Sequence, residues 1–417
     1  MSTFPGARRD PASPVRPSFR DPRFVLLLVG QSFGWVCSWA SAIVLWGFAA
    51  YHFGAGPEAI SVTALCWSGP PVVLTAFTGG LTDRFGPRTM LIIGYACSAA
   101  TSLGMTTAGS LLTLDIMAAA CGAARSVCTP ASGTLPARVV EPDDLLAANS
   151  LLGITASIGQ MGGPLAASVL MAVAGFRTAF AADAAMYLVN ALVVLPLPNL
   201  PRPDEARDAG AATAGRSGPG VLWFRGATAG VVTVVRNPGL RRVALARMGV
   251  IFTSGAFLVI EPLYARHVLG RPPSQFALFE AAIGTGAIVT GLTLPVIRRR
   301  LPAARSAGTV LAAGAISYGL AAALFTGTPW IPVAYLGAFV WGAGGTVFYT
   351  VAATTLQRLA PAKTLGRVAG VISTAESTVE NVSMPLAGVL IAGAGIRSGA
   401  LILAAVAVAT GAACLQG

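Results

Sequence analysis

The feature that most constrains this chain is a recurrence of apolar stretches, each about 20 residues long, parted by short segments that hold its arginines. A helix of that length spans the hydrocarbon layer of a bilayer, where every backbone polar group must find its partner within the protein. Of the 417 residues 54% are hydrophobic and 11% charged, whereas soluble domains carry about 25% charged residues. A single soluble core of this length could not hide so much apolar surface. The chain reads as an all-α integral membrane protein.

Twelve transmembrane helices are predicted. Six lie at 24–51, 58–81, 89–109, 111–137, 145–173 and 177–197, and six more at 241–266, 274–296, 305–326, 330–357, 366–392 and 396–415. The arginine-containing start and first apolar run superficially fit a cleaved signal. That run continues to residue 51, beyond the length of a signal core, so it reads as the first membrane helix.

Arginine placement sets the orientation. Of the 28 Lys and Arg residues, the segments on one side carry nearly all; the other side holds only Arg177, Arg266, Arg271 and Arg397, and Arg125 and Arg247 fall within helices. Basic loops face the cytoplasm. The expectation is a multi-pass protein of the cytoplasmic (inner) cell membrane with both termini inside.

Residues 1–23 form a cytoplasmic tail, 24–197 a first six-helix bundle and 241–417 a second. Between them, 198–240 is a cytoplasmic linker, rich in Pro, Gly, Ala and charge up to residue 220. Its remainder, "VLWFRGATAGVVTVVRNP", has apolar residues at helical spacing and is expected to lie along the membrane surface. The halves echo one another: "GLT" recurs at 80–82 and 291–293, "PLA" at 164–166 and 385–387, and Ala174-Gly175-Phe176-Arg177 as Ala394-Gly395-Ile396-Arg397. The shared order and near-constant offset indicate a duplicated unit.

Several function classes are excluded. The net charge of +12 is spread over short inter-helix segments rather than one polar face, so no nucleic-acid partner is indicated. The six cysteines lie in or beside apolar stretches without C-x-x-C or Cys/His spacing, which implies neither metal nor disulfide framework. His52 and His267 are the only histidines, and no G-x-S-x-G or phosphate-binding G-x-x-x-x-G-K-[ST] loop occurs. The chain is not expected to be an enzyme, to be driven by ATP or to hold a cofactor.

One short stretch, "TGGLTDRFGPRTM" at 78–90, places Asp83, Arg84 and Arg88 between two apolar runs. Gly79, Gly80 and Gly86 permit close helix approach and a tight reversal. An acid at a helix end needs a partner, either a nearby arginine or the positive end of a neighbouring helix. Asp83 would then clasp one half to the other. The second half has Leu294 at the equivalent place, so the clasp is one-sided.

The run Gly79–Arg88 resembles the G-x-L-a-D-r-x-G-r-r signature of the major facilitator superfamily, departing only at Pro87. "GQSFGWV", "LPARVVEPDDLLAANSL" and "LGRVAGVIS" are similar to bacterial exporters of the enterobactin-exporter and drug-efflux type. The resemblance covers the whole chain. It implies two pseudo-symmetric six-helix bundles around a central cavity that opens alternately to each side. It further implies a small-molecule substrate, protons as the coupling ion, a lipid bilayer as surroundings and function as a monomer. In such families the clasp aspartate meets the start of helix 11, here Thr364 to Arg367. Gly159, Gly163 and Pro164 resemble the antiporter pattern G-x-x-x-G-P-x-x-G-G of helix 5, with Ala167 and Ser168 replacing the closing glycines. They form either that signature or an ordinary packing face of small residues.

Ionisable groups at membrane depth are functional candidates by default. Arg125 in helix 4 either binds an anionic group or pairs with an acid. Glu376 and Glu380 share a face of helix 11, four residues apart, and are the first choice as proton carriers. The alternative for them is a polar contact with Arg125 or other helices. Glu261 and Glu280 come second, with Asp115 and Asp183 behind them; each of these four either carries a proton or sits at the wet interface. Trp35, Trp39, Trp46, Trp341 and Tyr349, with few cavity charges, suit a moderately apolar substrate such as an antibiotic, drug, siderophore or metabolite. The direction favoured is efflux by antiport; a proton-coupled importer or uniporter and a non-transporting sensor are the alternatives.

Overall fold

The computed structural model describes residues 22–134, 145–196, 228, 231–300, 307–360 and 365–415. The first helices are α1 (Pro22–Gly47), α2 (Pro57–Phe85), α3 (Pro87–Met105) and α4 (Leu111–Thr134). Leu145–Val194 follows as two arms that turn at Gly175 (φ 74°, ψ 177°), labelled α5 (145–174) and α6 (176–194). The second half contains α7 (Pro238–Leu263), α8 (Pro273–Arg300), α9 (Ala307–Gly327), α10 (Ile331–Leu359), α11 (Leu365–Ala394) and α12 (Ile396–Leu415).

Local chemistry explains the boundaries. Proline opens α1, α2, α3, α7 and α8, where its missing N–H costs nothing. The Asn237 side chain caps α7, accepting from the Leu240 amide at 3.2 Å, so this helix starts at Pro238 rather than 241. The α2–α3 reversal is also tighter than expected. Helix α2 continues through Asp83 and Arg84 to Phe85, and Gly86 alone, at φ 81°, separates it from α3. A side chain at that φ would be strained, which is why glycine stands there. Gly79 and Gly80, by contrast, face open space: an added Cβ at either meets nothing within 4 Å.

The halves repeat their corners. α1 ends in a π-turn, Phe48–His52, followed by Gly54 at φ 66°; α7 ends in a π-turn, Tyr264–Val268, followed by Gly270 at φ 60°. In each corner an amide bonds a carbonyl six residues back, Ala55 to Ala49 at 3.0 Å and Arg271 to Ala265 at 2.9 Å. Gly175 and Gly395, the second residues of the matched "AGFR" and "AGIR", both take positive φ to turn the chain between paired helices.

Within the first half α1 packs on α5 and α6, and α4 on α2 and α3; within the second α8 and α9 pack on α10, α9 on α12 and α7 on α11. Glycines make several crossings possible. A Cβ on Gly163 would sit 2.5 Å from Trp39 Cβ and 2.8 Å from the Val36 carbonyl oxygen; one on Gly159 would sit 2.3 Å from Trp35 Cβ. Eight stretches of the described residues are long and apolar enough to cross a membrane, and α2, α3 and α11 fall outside them. α2 and α11 pack on each other across the two halves and expose polar residues between them, so they lack a fully apolar surface.

Candidate functional site

The arginine-poor ends of the two halves are joined. The Ser61 hydroxyl of α2 donates to the Met384 carbonyl of α11 at 2.9 Å, and Ser168 of α5 to the Ser274 carbonyl of α8 at 2.8 Å. The Arg266 guanidinium donates to the Ala50 carbonyl in the α1 π-turn. Deeper in, Ser68 donates to the Asn381 side-chain oxygen at 2.7 Å. Gly388 of α11 lets the backbones touch here, since a Cβ would lie 3.0 Å from the Pro57 carbonyl oxygen.

Below this seal lies a cavity of about 620 Å³ between the halves. The first half lines it with Trp35, Trp39, Trp46, Trp67 and Arg125, and the second with Ser254, Ser377, Glu380 and Asn381. A second pocket of about 440 Å³, within the first half, adjoins it through Trp35, Ser38, Arg125 and Thr129. Near the arginine-rich ends of α2 and α11 a Cβ on Gly79, Gly80 or Gly370 would meet nothing within 4 Å among the described residues. On the arginine-poor side the cavity is shut by the Ser61–Met384 and Ser168–Ser274 bonds. An apolar hollow with few convergent charges suits a small organic ligand.

Its charges are unequally engaged. Glu376 of α11 is gripped by Arg247 of α7 in a two-pronged ion pair, Nε to Oε1 at 2.5 Å and Nη2 to Oε2 at 3.0 Å, with Arg247 also 5.8 Å from the Tyr349 ring. A fork of this kind is among the strongest side-chain contacts. Arg125 lies over the Trp67 ring at 4.5 Å, a cation–π contact, and among the described residues it forms no ion pair. Glu380 faces it from the other half. The cavity thus presents one cation and one carboxylate from opposite halves.

The Major Facilitator Superfamily sequence model matches residues 26–380. The chain belongs to this superfamily. The uncharacterised MFS-type transporter YfiS of Bacillus subtilis (strain 168) is 23% identical over 384 residues, which covers 90% of this chain and 88% of that protein. A crystal structure of a POT peptide transporter in complex with sulfate superposes with a TM-score of 0.70 at 15% identity, covering 94% of this chain and 94% of the other. A bacterial homologue of the human lysosomal transporter Spinster, inward-facing and occupied, superposes at 0.71 and 13% identity over 95% and 97%. At such identities the likeness concerns the fold. The protein is a multi-pass membrane transporter of the major facilitator type.

Against this fold the residues singled out from sequence fall into distinct places. Gly159 and Gly163 pack α5 onto α1, with Pro164 inside α5. Arg84 is exposed, 5.2 Å from the Phe85 ring, and Arg88 lies in the first turn of α3. The clasp partner segment begins at Thr364, which lies outside the described residues, as does the linker from 198 to 227. The Glu376/Glu380 pair is divided between an ion pair and the cavity.

The wet-interface alternative for the four other acids is corrected. Asp115, Asp183, Glu261 and Glu280 are 9%, 2%, 3% and 7% exposed. Hydroxyls from neighbouring helices make this possible for the aspartates: Thr63 donates to Asp115 at 2.6 Å, and Ser41 and Ser102 donate to Asp183 at 2.5 and 2.7 Å. Two of the aromatic assignments are corrected as well. Trp341 packs inside the second half against Phe257 (4.8 Å) and Tyr318 (5.4 Å), and Tyr349 adjoins Arg247; neither lines the cavity. Trp67, Ser68, Ser254 and Asn381 do line it, and nothing in the sequence pattern distinguished them.

Proposed function

We propose that this superfamily member exports a small, moderately apolar molecule, such as an antibiotic, drug, siderophore or metabolite, in exchange for protons. The observation that carries the reading is the tryptophan-lined cavity between halves joined at their arginine-poor ends, with Arg125 and Glu380 lining it from opposite halves. By the positive-inside rule the arginine-rich side is the cytoplasm, which also places both termini there. Twelve spans in two bundles, working as a monomer, would carry a ligand by rocking about the cavity. In the open state the ligand enters from the cytoplasm; parting the Ser61–Met384 and Ser168–Ser274 contacts would release it outside. The 79–88 segment, with Asp83, acts as the clasp of the opposite, closed state.

The test uses everted vesicles holding the chain, a panel of apolar antibiotics and dyes, and an imposed pH gradient. At least one compound should accumulate, and dissipating the gradient should remove that accumulation. Arg125→Ala and Glu380→Gln should each reduce it about tenfold or more, the worth of one hydrogen bond to a charged group. Accumulation indifferent to the gradient overturns proton exchange. Gradient-driven depletion of the vesicle lumen instead establishes import.

A further inference from the structure

Among the described residues that line the pocket of about 440 Å³ inside the first half, Arg125 of α4 is the one charged side chain. Its guanidinium lies over the Trp67 ring at 4.5 Å, and none of its N–H groups finds an acceptor among the described residues. Neither acid beside these hollows holds it. Asp183, one turn before the pocket-lining Tyr187 on α6, is 2% exposed; its Oδ2 accepts from Ser41 at 2.5 Å and Ser102 at 2.7 Å, and its Oδ1 has no partner. Glu380 lies on the wall of the other half, and the ion pair formed among the described residues joins Arg247 to Glu376. A guanidinium has five donors in a planar fork and no acceptor, so what it takes from a ligand is an oxyanion.

The surrounding wall is polar and incompletely paired. Ser98 of α3 lines the pocket and is 0% exposed, and its Oγ has no hydrogen-bond partner. Asn190 of α6 is buried as fully, with neither Oδ1 nor Nδ2 partnered. It reaches the pocket at Gly34 of α1, where a Cβ would lie 3.1 Å from Asn190 Nδ2 and 3.1 Å from Tyr95 Oη. Glycine leaves room for the amide and the phenol to converge there. Buried polar groups nearly always find partners, and one left without a partner is destabilising. Ser98 and Asn190, close to a cation that no acid claims, offer the bonds that the polar end of a ligand would complete.

We propose that this pocket is a second part of the substrate site, taking the carboxylate end of an amphipathic molecule while its apolar body lies among Trp35, Trp39, Trp46 and Trp67 of the cavity. The inference deepens the export reading above and rests on it. Arg125 and Trp35 line both hollows, so one ligand can extend from the cavity into the pocket. Glu380 repels an anion from the second-half wall, which sets the direction in which the ligand lies. One cation balances one negative charge, so a carboxylate fits where a doubly charged phosphate would not. The planar fork matches a carboxylate with two parallel bonds.

Calorimetric titration of the chain in lipid nanodiscs, corrected against empty discs, tests the site without any gradient. The probes are phenylbutyrate, naphthoate and naphthylacetate at neutral pH, each beside its primary amide. At least one carboxylate should bind about tenfold or more tightly than its amide, the step that one charge-assisted hydrogen bond adds. Arg125→Gln should abolish that preference by weakening the carboxylate and leaving the amide. Ser98→Leu, which fills the pocket and keeps Arg125, should weaken the carboxylate by a similar factor. Ser132→Leu, elsewhere in the lining, repeats the test should that variant fail to fold. Equal binding of every acid and its amide, or a preference that survives Arg125→Gln, overturns the carboxylate class. A preference untouched by filling the pocket overturns the pocket as its seat. In everted vesicles the preferred carboxylate should accumulate in exchange for protons; binding in discs without that accumulation would refute the export reading and leave the site standing.

Discussion

Gly342→Ala is expected to prevent the second half from packing. The added Cβ would lie 1.8 Å from the Ile283 carbonyl oxygen of α8 and 3.1 Å from the Ala287 amide nitrogen. The contact is reciprocal, because a Cβ on Gly286 would lie 1.9 Å from the Phe339 carbonyl oxygen of α10. Both obstacles are backbone, so no rotamer change relieves them and the helices must separate. That separation would also break the bond from the Thr346 hydroxyl to the Ala287 carbonyl, now 3.2 Å. The cost should reach or pass the top of the roughly 1–3 kcal/mol usual for overpacking. Size-exclusion profiles and thermal unfolding in detergent would show loss of monodisperse protein or a marked fall in Tm. Gly370→Ala on α11, where a Cβ meets nothing within 4 Å, is the matched control and should leave both unchanged. An intact, equally stable Gly342→Ala protein would contradict the α8–α10 crossing.

Arg247→Met should be the most damaging change among the charged residues. It strands Glu376, whose side chain is only 14% exposed, without its guanidinium. Removing one member of a buried pair costs roughly 3–5 kcal/mol, whereas replacing both with apolar residues is often neutral. The expected pattern is therefore a strongly destabilised Arg247→Met and a largely rescued Arg247→Met/Glu376→Met, read as Tm in detergent. Because the pair ties α7 to α11 beside the cavity, the rescued protein should regain its fold but not necessarily its transport. If the double variant is no more stable than the single one, the fork is not what holds these helices.

Much of the architecture was legible because the bilayer leaves few options. Apolar length gave the helices. The matched "AGFR" and "AGIR" marked two glycines that take positive φ. Boundaries were displaced where a local device acted, such as the Asn237 cap or the single-residue turn at Gly86. The site was harder to read, for reasons of distance. The four-residue spacing of Glu376 and Glu380 shows that they share a face, yet it cannot show that Arg247, 129 positions away, claims one of them. Arg247 itself carried no signal beyond lying inside a helix. Glu261 and Glu280 sit near helix ends in the sequence, which suggested water; their burial depends on how α7, α8 and α9 assemble. The glycines of α8 and α10 looked like any others until the two backbones met.

The claim on which all this depends is that two halves alternate about the cavity, and cysteine accessibility tests it without knowledge of the substrate. In a chain freed of its six native cysteines, Ser377→Cys places a thiol in the cavity. Ser61→Cys with Gly388→Cys adds a lock at the arginine-poor end, where a Cβ on Gly388 would lie 3.2 Å from Ser61 Cβ. That separation is slightly under the roughly 3.5–4.5 Å of a disulfide, within reach of a small adjustment. A membrane-impermeant maleimide should label position 377 from either side of the membrane while the lock is reduced. Once the lock is oxidised, labelling should persist from the arginine-rich side and cease from the other. Undiminished labelling from the arginine-poor side of the locked protein would contradict alternating access about this cavity.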